Sequence, residues 1–473
     1  MASPSSTLFE KIWSTHVVED FSDGRAIIHV DRHVIQESSC RVSFEGLRKL
    51  NLPVRDRNLT FGVIDHAVAT MPGRTADSFP PTRYRIVAMR ENCRDFGIKL
   101  FDIDDPNQGI EHVVAPELGI TLPGCTLVCS DSHTPTNGAL GAWAWGVGTT
   151  EARHVLANQC LIMRKPKTMR VDFTGTLQPY VFAKDLILHL VGRYGVTGGV
   201  GSTVEYAGPV IRALPMEARM TICNMSIEFG ARSGMIAVDD TTIDYVAGRP
   251  YAPKGAQWEK ATATWRGLRS DDEAEFDKEL EVDCTNVVPQ VTWGTSPQDV
   301  TGIDGRVPEL STIDDKERRA SAERSLFYLD LKPGQPLDGV PIDIAFIGSC
   351  TNARLSDLEA AASVIRGRKV APGVRALVVP GSTAVKRSAE AAGLDKIFRD
   401  AGFEWRESGC SMCVGSNGDS VTAGQRCVST SNRNYENRQG RGARTHLASP
   451  ATVAAAAVTG HLTDVRKLAQ GSL

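Results

Sequence analysis

Short apolar runs that stop in polar turns recur along this chain, each followed by a stretch of helical periodicity. Near the start, "RAIIHVDRHVI" and "FGVIDH" read as strands. "TLVCSDSHT" is a third apolar run ending in a polar turn, and "TMRVDFTG" opens a strand-rich region after "MRKPKT". Charge, Pro and Gly are denser between positions 245 and 340, which predicts a connection carrying short elements. The last third is the most regular. "IDIAFIGSCTNARLSDLEAAASVIRG" predicts strand, turn and helix, with Ser356 and Glu359 as a capping box and Gly367 as the stop. "RALVVPGSTAVKRSAEAAG" repeats that unit, and "FEWRESGCSMC" is an extended run ending in a turn. "SPATVAAAAVTG" sets Ser449 as N-cap before Pro450. Such alternation predicts an α/β class with parallel sheets, whose ligands bind beyond the carboxyl ends of the strands.

Length adds a domain count. At 473 residues the chain predicts about three domains, with a core that needs no disulfide staples. A net charge of -3 and a pI near 6.4 argue against nucleic acid as a partner. The first twenty residues lack the apolar core of a signal peptide. The longest aliphatic stretch, near "ATVAAAAV", is too short to cross a membrane. A cytoplasmic protein without a membrane partner is expected, its eleven cysteines reduced and mostly in the core.

Three cysteines stand apart because they lie in Gly/Ser-rich turns after strands: Cys350 in "IGSCTN", and Cys410 with Cys413 in "SGCSMCVG". A C-x-x-C turn directs two thiolates to one centre. A redox pair would need no third cysteine. Zinc would need a fourth ligand, for which Cys427 is available. An iron–sulfur cluster ordinarily takes four thiolates, and three would leave one iron open for Lewis-acid chemistry. Three buried cysteines with no ligand role are the plain alternative.

Other turns hold proton-transfer groups. Asp65 adjoins His66, and Asp131, Ser132 and His133 follow an apolar strand. A carboxylate beside an imidazole fixes its tautomer and raises its pKa; a structural Asp–His pair is the alternative. His112 in "GIEHVV" reads as structural, and Asn224 with Glu228 has helical i,i+4 spacing. Arg426, Arg433, Arg438, Arg441 and Arg444 face a single acid, Glu436. This is either an anion pocket for a di- or tricarboxylate or a solvated basic loop; RNA contact is a third option.

In order, "SDSHT", "CNMSIE", "IGSCTN", "GCSMC", "TSNRN" and "GRGARTHLASPA" resemble the aconitase superfamily over nearly the whole chain. The resemblance implies three aconitase-like α/β domains, 1–166, 167–285 and 286–473, around an iron–sulfur cluster cleft. It implies one 4Fe-4S cluster per chain, held by Cys350, Cys410 and Cys413, with one iron free of protein ligands. Asp65–His66 matches the pair that protonates the leaving hydroxyl. His112, Asp131, His133 and Glu228 match positions around the water and hydroxyl. Ser132, Asn224, Asn432, Arg433 and Arg438 match substrate-binding or cluster-proximal positions, and Cys427 matches no ligand. The implied reaction isomerises 2- and 3-isopropylmalate by dehydration and rehydration. Alternatives are a related hydratase for citramalate, dimethylmaleate or homoaconitate, or an RNA-binding regulator. The family's swivelling domain, bearing the serine base, is expected on a separate small subunit. Ser202, Asn437, Asp104–Asp105 and the 414–419 loop depart from the pattern and leave the preferred hydroxy diacid open.

Overall fold

The computed structural model describes residues 5–469. The chain forms two compact units that share it discontinuously. Among the described residues, one takes 5–67, 83–175 and 197–283; the other takes 68–82, 176–196 and 284–469.

In the first unit a five-stranded parallel sheet runs in the order Lys99–Phe101, Thr60–Val63, Arg32–Gln36, Thr126–Cys129, Trp143–Gly146. Thr60–Val63 and Thr126–Cys129 are buried at every position, as strands covered on both faces must be. A second sheet, of four parallel strands, contains Ser233–Met235, Ser202–Ala207, Lys167–Thr174 and Lys278–Asp283. The run "RAIIHVDRHVI" is not one strand. It breaks after His29, and Arg25–His29 pairs antiparallel in a separate three-stranded sheet while Arg32–Gln36 joins the parallel one. Asp31 makes the break, because its carboxylate accepts from the Thr126 backbone N–H and pairs with His16.

The second unit carries a five-stranded parallel sheet in the order Glu404–Trp405, Arg375–Val378, Ile344–Ile347, Arg426–Ser429, Arg444–Leu447. Phe346, Leu377, Met412 and Cys427 are among its core. Helix Leu355–Ile365 follows the cysteine turn, but its cap differs from expectation. The N-cap is Arg354, whose backbone N–H donates to Asp357, so Ser356 and Glu359 form no capping box. Pro450 opens helix Pro450–Thr459 behind Ser449, as predicted. Between residues 245 and 340 the connection does carry short elements, plus one fourteen-residue helix, Lys316–Leu329. Among the described residues no helix is long and apolar enough to cross a membrane.

Candidate functional site

The sequence-predicted groups fall into two constellations, one in each unit. In the first unit, Asp65 and His66 follow strand Thr60–Val63, and Asp131 to His133 follow strand Thr126–Cys129. These two strands flank Arg32–Gln36 in one parallel sheet, so both turns leave at the same carboxyl end. Asp65 Oδ1 lies 2.6 Å from His66 Nδ1, and Asp131 Oδ2 lies 3.5 Å from His66 Nε2. His66 therefore has a carboxylate at each ring nitrogen. Burial disfavours its charge, but the Asp65 charge and the hydrogen bonds the ring donates to both acids outweigh burial and hold the imidazolium well above the usual histidine range.

Asp131 is the hub. Its Oδ1 is 2.9 Å from His112 Nε2 and accepts the His133 backbone N–H at 2.7 Å. Burial would raise this carboxyl, yet His112, His133 and His66 hold it well below its ordinary range. His112 goes the other way, because burial lowers it despite Asp131. His133 Nε2 reaches Glu228 Oε1 at 3.0 Å, so Glu228 joins the constellation. Its route there is not the predicted one. Helix Met216–Asn224 ends at Asn224, and Glu228 lies in the following turn rather than on a shared helical face. Asn224 Nδ2 donates to Thr136 Oγ1 at 2.8 Å, and Ser132 Oγ sits 3.4 Å from His133 Nδ1. Gly146 allows the Asp131 turn to close, since a Cβ there would sit 2.6 Å from the Asp131 carbonyl oxygen. Asp131 and Ser132 line a surface cavity of about 600 Å³ whose rim also carries Arg164, Lys165 and Arg232.

Sequence reasoning missed two buried acids here. Glu37 accepts from the backbone N–H groups of Asp65 and Ala67, bracing the turn that holds His66. Burial and then the Asp65 charge push Glu37 up to about 7. The Glu111 backbone N–H donates to Asp65 Oδ2, and its carboxylate accepts from the Cys129 thiol at 3.0 Å. Burial, followed by Asp65 and Asp131, holds Glu111 well above the carboxylate range. Glu111, an acid set among Ile110 and the Val113–Val114 pair in "GIEHVV", carries a sequence signal; Glu37, between Gln36 and Ser38, carries none.

In the second unit, Cys350, Cys410 and Cys413 are all buried. One amide touches two of them: Asn432 Nδ2 donates to Cys350 Sγ at 3.3 Å, while its Oδ1 lies 3.7 Å from Cys413 Sγ. The Ser349 hydroxyl donates to Cys413 Sγ at 3.1 Å, and Arg438 Nη2 lies 3.9 Å from the same sulfur. Ser349 and Ser411 flank the cysteines with φ of 79° and 48°. Non-glycine residues seldom hold the left-handed region, and where they do, function is often near. Hydrogen-bond donors aimed at sulfur suit thiolates rather than thiols, so the donor set fits an iron–sulfur cluster. Cys427 is different. It lies within strand Arg426–Ser429, and burial alone drives its thiol up, as for a core cysteine.

The five arginines divide. Arg426 is buried and donates to the Leu329 carbonyl, and Arg444 reaches Asp330. Arg438 is half-buried; burial opposes its charge, but Cys413 and Tyr435 raise it further. Arg433 is half-buried, Arg441 exposed. The departures are mostly explained locally. Asn437 has φ of 68° and its Oδ1 accepts the Gly442 N–H, which an Asn does in a position that suits Gly. Asp105 pairs with the partly exposed Lys99. In the 414–419 loop, Asn417 Nδ2 donates to the Val68 carbonyl, and Asp419 Oδ2 accepts from Thr70 and Ser411 hydroxyls. Ser202 is buried at the start of its strand, and nothing in the structure explains its choice.

Comparison with known proteins bears on these constellations. The sequence model of the aconitase family (aconitate hydratase) matches residues 10–460. A 3-isopropylmalate dehydratase large subunit from Bradyrhizobium diazoefficiens is 57% identical over 462 residues, covering 98% of this chain and 97% of that one. The solved structure of holo-form aconitase X from Thermococcus kodakaraensis is similar at a TM-score of 0.44 and 13% identity, over 90% of this chain and 87% of that one. With one family matched from residue 10 to residue 460 and a relative sharing more than half its sequence end to end, the chain belongs to the aconitase family.

Proposed function

We infer that this chain is the cluster-bearing large subunit of a hydro-lyase that interconverts 2- and 3-isopropylmalate in leucine biosynthesis. The reading includes a separate small subunit, a cytoplasmic site of action and the three-domain division at 166 and 285. The single observation that carries the chemistry is His66 between two carboxylates. The 57% identity to an isopropylmalate enzyme supports the substrate.

Removing hydroxide from carbon is hard because hydroxide leaves poorly. His66, kept protonated by Asp65 and Asp131, gives its Nε2 proton to the departing hydroxyl, which leaves as water. Neutral His112, with Asp131, His133 and Glu228, orders that water for its return. Ser132, Asn224, Asn432, Arg433 and Arg438 hold the substrate; the arginines bind its carboxylates and stabilise the charge that develops on them. The family implies a 4Fe-4S cluster, and Cys350, Cys410 and Cys413 would hold one per chain. When bound, with one iron free of protein thiolate, it supplies a Lewis acid for the hydroxyl. The carbon-bound proton falls to a serine of the small subunit.

The test is anaerobic reconstitution, addition of the cognate small subunit, and rates on isopropylmalate, citramalate and homocitrate-type acids. Isopropylmalate is expected to be the best substrate. A preference for citramalate would overturn the substrate and leave the dehydration chemistry standing.

A further inference from the structure

Lys184 is the second residue of helix Ala183–Tyr194 and is fully buried. An ammonium group taken out of water is costly unless something compensates it. Among the described residues no carboxylate lies within ion-pair distance of its Nζ. Instead Nζ donates to two backbone carbonyls, those of Thr430 and Ser431. Nearby acids are committed elsewhere: Asp185 accepts from the Phe182 and Gln290 backbone N–H groups, and Asp357 from Asn352 and the Arg354 N–H.

The two carbonyls belong to the turn leaving strand Arg426–Ser429, and the next residue is Asn432, whose amide touches Cys350 and Cys413. The same turn is tied to the other cysteine loop. Thr430 Oγ1 accepts the Gly348 N–H and donates to the Gly348 carbonyl, each at 2.8 Å, two residues before Cys350. Burial lowers Lys184 to about 7 against the opposing pull of Asp357, Cys413, Asp185 and Cys350, each of which favours its charged form. Two of these four are the thiols themselves.

We propose that Lys184 is a positioning residue of the three-cysteine site: it supplies the buried positive charge that offsets the cluster and fixes the turn that presents Asn432. The inference rests on the ligand assignment above. Three thiolates outweigh the positive charge of an ordinary 4Fe-4S core, so the loaded site is anionic. Net charge and hydrogen bonds to sulfur set a cluster's potential, so a cation here makes the cluster easier to reduce.

Wild type, Lys184→Gln and Lys184→Met are reconstituted anaerobically and compared by iron bound per chain. They are then compared by EPR-monitored titration with dithionite, which passes one electron to the cluster. Gln keeps a donor for the carbonyls but no charge; Met keeps neither. Lys184→Gln is expected to hold wild-type iron and be at least tenfold harder to reduce, a shift of about 59 mV for a one-electron couple. Lys184→Met is expected to lose iron as well. An unchanged potential in iron-loaded Lys184→Gln overturns the counter-charge. Wild-type iron retention in Lys184→Met overturns the strut, and if that variant fails to fold, the Gln variant still decides. A Cys350→Ser chain that keeps the wild-type cluster spectrum would remove the ligand assignment instead, which separates the two failures.

Discussion

His66 and His112 both touch Asp131, yet charge wins at His66 and burial wins at His112. The difference is Asp65, which hydrogen-bonds His66 at 2.6 Å but acts on His112 only through its charge. Because the folded value of His66 is raised, its acid form persists above the ordinary range and is lost as pH rises through the raised value. In Asp65→Asn the basic limb of the kcat/KM profile should therefore move to lower pH, by about 1–3 units. His66→Asn should cost about 10²–10⁴ in kcat, and assays of the assembled enzyme check both. The cysteines give a second contrast. Cys350→Ser should lose bound iron, whereas Cys427→Ala should keep it and pay only a packing cost of about 1 kcal/mol, read by iron content and thermal melting. At Asn437, a β-branched residue would have to hold φ of 68°. Asn437→Val should destabilise the chain by about 1–3 kcal/mol, and Asn437→Gly by much less. Residues in turns after apolar runs were legible in the sequence, which is why Asp65, Asp131 and Cys350 stood out. Glu37, Glu111 and Lys184 did not, because their partners are backbone groups or residues distant in sequence, which no local pattern announces.

Among elements, the turns after strands hold the proposed site residues, and what braces them is less regular than the strands. Among the bonds that hold the 408–419 segment, one carboxylate, Asp419, accepts two buried hydroxyls. Asp419→Ala leaves Thr70 and Ser411 unsatisfied at about 1–3 kcal/mol each. It should lower the melting temperature and the iron taken up per chain; full iron retention would show that the loop is set by something else. The departures at "VGSNGDS" thus read as packing against residues 68–82. Element type was legible from periodicity, but two boundaries were not. Apolar alternation continues across Asp31, whose tertiary bonds end the strand, and the Asn224–Glu228 spacing says nothing of a helix that stops at Asn224.

At the scale of the whole molecule, the family reading predicts that this chain alone holds a cluster but does not turn over efficiently. Purified, reconstituted chain should show little isomerisation until the small subunit is added, and full activity of the single chain would sink the idea. The interleaving of the two units has a consequence for synthesis. Thr70 and Val68 leave the ribosome 349 residues ahead of their partners Asp419 and Asn417. At about 5–20 residues per second, Thr70 waits roughly 20 s to a minute for Asp419. The first unit has all its segments by residue 283, while the second must thread three separated stretches together after that. A fragment beginning at residue 284 would lack both Lys184 and the 68–82 brace, so the cysteine site cannot be harvested as a domain. It is complete only once Arg438 has been made.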